Sequence, residues 1–164
     1  MSTISSSSIR DSIQLAANGR HKLVLVIGES GTGKSKLLGE VASELQFQLL
    51  NLGTLLGTRL QTVAPKKRPL AIEDIVRESI HPDRIGTCID NTDILFAPSL
   101  KCDPLRFAHS ISQNSTVIYA LHGRVDGKRF IRGYPDHPEF YSEELPPVAV
   151  ISVERGTPSI QIFR

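Results

Sequence analysis

The chain has 164 residues, 22% of them charged, and its 19 Lys and Arg against 17 Asp and Glu leave a formal net charge of +2. That length suits one compact domain with a single core, and so balanced a charge excludes a polybasic nucleic-acid binder, leaving any such contact to a local patch. Two cysteines, Cys88 and Cys102, lack metal-ligand or disulfide-framework spacing, and no apolar run approaches the ~18 residues of a membrane helix, so a soluble protein in a reduced, cytosolic (cytoplasmic) setting, with no membrane partner, is expected.

Residues 1–20 read as an N-terminal tail with a short helix, and residues 21–164 as one domain. The Ser-rich start has no hydrophobic stretch of the kind a secretory leader needs, and Ile9, Ile13, Leu15 and Ala16 carry a helical spacing that stops at Asn18-Gly19. Residues 23–27 are then a continuous apolar run of strand length. Gly28-Glu29-Ser30-Gly31-Thr32-Gly33-Lys34-Ser35 follows and matches G-x-x-x-x-G-K-[ST] at every defined position. Residues 36–45 place Leu37, Leu38, Val41 and Leu45 at helical spacing. Strand, loop and helix in this order form the frame in which such a loop cradles phosphate. Gly28, Gly31 and Gly33 are expected to take positive φ and to turn backbone N–H groups toward an anion. Lys34 would reach the β and γ phosphates, Ser35 would offer its hydroxyl to Mg²⁺, and the helix N-terminus would add partial positive charge.

Residues 47–52 read as a second strand, and residues 53–64, with Leu55, Leu56 and Leu60, as a short helix. Pro65-Lys66-Lys67-Arg68-Pro69 reads as a basic loop, either a solvated turn or an anion or nucleic-acid contact. Ile72, Ile75, Val76 and Ile80 make residues 70–80 an amphipathic helix that His81-Pro82 ends. Residues 85–89 form a third strand that delivers Asp90-Asn91 at its C-terminal end. A further helix is expected over residues 99–113, with Pro104 in its first turn if it begins near Asp103. Residues 116–121 and 148–153 are strands four and five, and residues 159–163 follow at the spacing of an antiparallel hairpin.

A phosphate loop works with a second acid at the end of a buried strand, which holds Mg²⁺ through its water shell, and Asp90 has that place. Asn91, beside it, cannot accept a proton, so Asp93 is the candidate to orient or deprotonate water, with helix capping or plain surface exposure as its alternatives. His122, after the fourth strand, either senses the γ-phosphate or is a structural hydrogen-bond partner. Arg106, Arg124, Arg129 and Arg132 are all candidates to stabilise phosphate charge. Residues 133–141, dense in Pro, aromatic and ionisable side chains, suit either a partner-binding loop or a rigid crossing.

Taken together, the phosphate loop, Asp90-Asn91-Thr92-Asp93-Ile94-Leu95-Phe96, Asp103-Pro104-Leu105 and His137-Pro138-Glu139-Phe140 resemble the BrxF family, small P-loop ATPases encoded in BREX anti-phage systems, over about residues 22–145. The family pattern has Glu where Asp93 stands and Asn where His122 stands. The resemblance implies an AAA-like ATP-binding core that uses ATP and Mg²⁺ and acts with other BREX system proteins in distinguishing or blocking phage DNA, with any DNA contact indirect. The expected fold is α/β, a three-layer P-loop NTPase (AAA/RecA-like) with a mostly parallel sheet ordered 5-1-4-3-2, a C-terminal β-hairpin at an edge and no helical lid domain. Without a lid the nucleotide lies open, so hydrolysis is expected to be slow until a neighbouring subunit of a homo-oligomer, or a partner, covers it. By chain position Arg106 and Arg124 are the nearest arginines for that arrangement. Two other readings share the first motif: a small-molecule P-loop kinase, and a nucleotide-dependent binding or scaffold module with little turnover. A GTPase is disfavoured because the sequence has no Asn-Lys-x-Asp.

Overall fold

The structure is a computed structural model that describes residue 11, residues 22–154 and residues 157–163. The helix expected at residues 9–16 lies, apart from Asp11, outside the described residues. In chain order the elements are β1 (Leu23–Gly28), α1 (Lys34–Leu45), β2 (Gln48–Asn51), α2 (Leu52–Arg59), α3 (Arg68–Ser79), β3 (Gly86–Asp90), α4 (Pro104–Ile111), β4 (Thr116–His122), β5 (Arg124–Asp126), β6 (Arg129–Arg132), β7 (Tyr141–Glu144), β8 (Val148–Glu154) and β9 (Thr157–Phe163).

Six strands form one sheet in the order β2-β3-β4-β1-β8-β9. The first five are parallel, and β9 joins β8 antiparallel at the edge. Counting the parallel strands in chain order, this is the expected 5-1-4-3-2. The all-apolar sequence of β1 follows from its place between β4 and β8, where both faces are covered. Leu23, Leu25 and Ile27 join a core with Leu52 and Leu56 of α2, Ile72, Ile75 and Val76 of α3, and Leu105 and Ala108 of α4. Val24 and Val26 point the other way, into a smaller core with Leu38, Val41 and Ala42 of α1. Among the described residues, α1 therefore covers one face of the sheet and α2, α3 and α4 cover the other. Among the described residues only strands follow β4, with no helical lid, and no helix is long and apolar enough to cross a membrane.

Several boundaries differ from the sequence reading for local reasons. The second strand stops at Asn51 because its side-chain Oδ1 accepts from Thr54 N at 3.0 Å, which caps α2 and draws Leu52 into the helix. That helix ends at Arg59 in a 3-10 turn, Leu60–Thr62. The basic stretch is not a loop: Pro65–Lys67 forms a 3-10 turn that runs directly into α3. Pro69 sits in the first helical turn, where its missing N–H costs nothing. Arg68 is committed to structure, its Nε donating to the carbonyls of Leu60 and Val63 at 3.1 and 3.0 Å, which leaves only Lys66 and Lys67 facing water. The helix expected over residues 99–113 is confined to α4, with Asp103 as cap and Pro104 in its first turn.

The sequence reading held no second sheet, yet β5, β6 and β7 form one, antiparallel throughout. Its strands are three or four residues long, too short to show a period. Gly123 makes the bend from β4 into β5 possible, since a Cβ there would lie 2.6 Å from the Ile131 carbonyl oxygen and from the Phe130 ring. The sheet is anchored by aromatic contacts: the Tyr141 ring is 5.4 Å from Phe96, edge-on, and 5.9 Å from the fully buried Phe130. The Tyr141 hydroxyl donates to Asp103 Oδ1 at 2.8 Å, and so binds the second sheet to the cap of α4.

Candidate functional site

Because β4 lies between β1 and β3, three parallel strands bring their carboxyl ends to one edge, where open α/β sheets form their ligand crevices. The G-x-x-x-x-G-K-S loop leaves β1 there, Asp90 ends β3 and His122 ends β4. A cavity of about 510 Å³ opens between them, lined by Ser30, Gly31, Gly33, Lys34 and Ser35 on one side and by Asp90, Asp93 and His122 on the other.

The loop conformation depends on its glycines in two different ways. Gly31 and Gly33 take the left-handed backbone at φ 78° and 99°, as expected. Gly28 does not, which corrects the sequence reading. Its constraint is steric, since a Cβ would sit 2.7 Å from the Val153 carbonyl oxygen and 2.6 Å from Thr32 Oγ1. Gly33 is also the cap position of α1, and it offers no side chain to the first-turn N–H groups, nor is there an acid in that turn. Those donors are thus open to an anion from the cavity. Two loop side chains lie outside the cavity lining: Thr32 Oγ1 donates to the Glu29 carbonyl at 2.8 Å, and the Glu29 carboxylate reaches to 3.4 Å from His122 Nε2.

Lys34 curls back over the loop, its Nζ donating to the carbonyls of Gly28 and Glu29 at 2.7 and 2.8 Å. Burial pushes its pKa below the ordinary lysine value, against the opposing pull of Asp93, Asp90 and Glu29. Three carboxylates thus bear on one ammonium. Among the described residues no group of three or more His, Cys, Asp or Glu is arranged to hold a metal alone. An ion here would have to take oxygens from Ser35, Asp90 and a bound phosphate together, which is the donor chemistry of Mg²⁺.

The segment after β3 is held by three separate links. Asp90 Oδ1 accepts from Asn91 N at 2.8 Å. Asn91 takes φ 54° and turns its Nδ2 to Asn51 Oδ1 at 3.1 Å, so it braces the cap of α2. Buried Thr92 ties the segment to β4 by donating to the Ala120 carbonyl at 2.5 Å. Asp93 then emerges at the cavity and opens a 3-10 turn, Asp93–Phe96.

Asp93 meets two partners. Arg132 Nη1 lies 2.7 Å from its Oδ1, and His122 Nδ1 lies 3.9 Å from its Oδ2. His122 thus stands between the Asp93 and Glu29 carboxylates. Of the four candidate arginines, Arg132 is the one the fold brings to Asp93. Arg106 is largely exposed and pairs with its neighbour Asp103 at 3.8 Å. Arg124 stacks over Tyr134, 5.4 Å from the ring centroid, and Arg129 bonds Ser142. The loop from 133 to 140 is tied to itself at short range: His137 N donates to the Tyr134 carbonyl, Phe140 N to the His137 carbonyl and Glu139 N to His137 Nδ1. It returns the Glu139 carboxylate to 3.4 Å from Arg132 Nη2, while the Tyr134 ring stays exposed.

Neither cysteine belongs to this chemistry. Burial raises the Cys88 thiol to about 12 and the Cys102 thiol to about 11, so neither is an ionised nucleophile at neutral pH. Sequence reasoning missed Asn51, Phe96 and Tyr141. Asn51 carried a readable signal, as a capping residue type between an apolar strand and a helical run. No family model matches the chain, and no curated protein matches it.

Proposed function

We propose that this chain binds ATP with Mg²⁺ and hydrolyses it slowly, as the nucleotide-handling component of a BREX-type anti-phage system. The observation that carries the ATPase reading is the convergence, around one cavity, of a complete G-x-x-x-x-G-K-S loop with the strand-end groups Asp90, Asp93 and His122. The loop N–H groups and Lys34 neutralise the phosphates, and Ser35 and Asp90 would hold the metal. Held there by Ser35 and Asp90, Mg²⁺ would supply neutralisation of the phosphate charge. Asp93 keeps Oδ2 on the His122 side, where it accepts a hydrogen bond from the attacking water and orients it for in-line attack. The BREX assignment rests on the sequence resemblance.

One observation favours phosphoryl transfer to a small molecule as a second reading. A cleft of about 530 Å³, lined by His122, Arg124, Arg132 and Tyr134, adjoins the first cavity at His122. The deciding experiment follows radiolabelled γ-phosphate with purified protein, Mg²⁺ and ATP, with and without BREX partner proteins. Release as inorganic phosphate, rising on addition of the partners, is the expected result. Label appearing on a small acceptor supports the kinase, and no binding of ATP overturns both.

A further inference from the structure

The arginine held between the loop after β3 and the second sheet has a geometry that surface ion pairs lack. Its side chain is only 12% exposed, one guanidinium nitrogen is 2.7 Å from Asp93 Oδ1, and the other is 3.4 Å from Glu139 Oε2. The guanidinium carbon lies 4.3 Å from the centre of the Phe96 ring. Phe96 ends the same 3-10 turn that Asp93 begins, so carboxylate and ring are fixed to each other by one short backbone turn. A planar cation laid on that ring, with one nitrogen on Asp93 and the other on Glu139, leaves the Asp93 carboxylate little rotational freedom. Asp93 is itself about half exposed and, without this partner, would hold no single rotamer.

We infer that Arg132 is a positioning residue for the hydrolytic step: it aims Asp93 Oδ2 into the cavity, and Glu139, by competing for the same guanidinium, sets how firmly. This rests on the ATPase reading above and adds to it that the second sheet completes the site. The geometry separates this role from direct contact with the nucleotide. Arg132 lines the adjoining cleft, whereas Asp93 lines the loop cavity, so the arginine acts through the carboxylate.

The test is a double-mutant cycle on steady-state ATP hydrolysis, with ATP affinity measured alongside by fluorescence titration. Arg132→Gln is expected to lower kcat by about tenfold while ATP affinity stays within about twofold, as loss of a general-base or water-orienting group would. In an Asp93→Asn background the same substitution is expected to have no further effect on kcat, because nothing remains to be positioned. Arg132→Lys should restore only part of the rate, since an ammonium keeps the charge without the fork or the stacking plane. Should Arg132→Gln not fold, the cycle run with Arg132→Lys decides. Multiplicative losses across the cycle, or a fall in ATP affinity with kcat intact, overturn the inference while leaving the ATPase reading standing. A wild-type protein without turnover overturns both.

Discussion

Replacing Lys34 with Ala tests the whole site at its most sensitive point. In the structure the ammonium is half-buried and held by two loop carbonyls, at 2.7 and 2.8 Å. It can move the short distance needed to meet phosphate while staying within the loop. A full charge about 4 Å from an anion, at an effective dielectric of about 20, is worth about 4 kcal/mol, part of which is returned in giving up the carbonyls. A net loss of about 3–4 kcal/mol corresponds to a 10²–10³-fold weaker dissociation constant, at about 1.4 kcal/mol per tenfold. Stability should barely respond, because the two lost hydrogen bonds are offset by release of an ammonium whose burial already opposes its charge. A change within about 1 kcal/mol moves the melting temperature of a chain this size by no more than about 4 °C. Nucleotide titration and thermal melting of the two proteins, both without nucleotide for the melts, separate these effects. Equal affinity in Lys34→Ala would refute the reasoning, and so would a loss of affinity that merely tracks a collapse in stability.

Asp90→Ala is expected to reduce Mg²⁺-dependent turnover by more than it reduces ATP affinity, since the loop supplies most of the binding while the metal matters most in the transition state; titrations and rates with and without Mg²⁺ check this. Asp93→Asn should slow hydrolysis and leave binding intact, and single-turnover rates of Asp93→Asn beside His122→Ala decide which side chain handles the water. Asp103→Ala removes the cap that accepts from Leu105 N and Arg106 N and strands the Tyr141 hydroxyl, costing about 2–3 kcal/mol, or about 5–10 °C in melting temperature, whereas Asp103→Asn should retain most of the stability. Glu73 is held below its ordinary 4.5 by the Ser110 hydroxyl and then by Arg77. A depressed carboxylate contributes stability that is present above its unfolded pKa and lost as pH falls through its folded one, so the wild-type advantage over Glu73→Gln in urea unfolding should narrow well below pH 4.5.

What could be read along the chain is what repeats or clusters over a few residues. The continuous apolar run of β1, the helical spacing of α1 and α3, the eight-residue loop motif and the acid at the end of β3 are all local patterns, whereas the strand order was an expectation carried by the family resemblance, and the sheet has that order. The second sheet, the pairing of Arg132 with Asp93, the contact of Asn91 and the reason for Gly28 were decided only in three dimensions. Each depends on a contact between residues far apart in the chain: Arg132 with Asp93 across 39 positions, Asn91 with Asn51 across 40, and Gly28 beneath the Val153 carbonyl. Such pairings leave no period in the sequence, because each is set by where the sheet brings two chain segments together and by the room left between them.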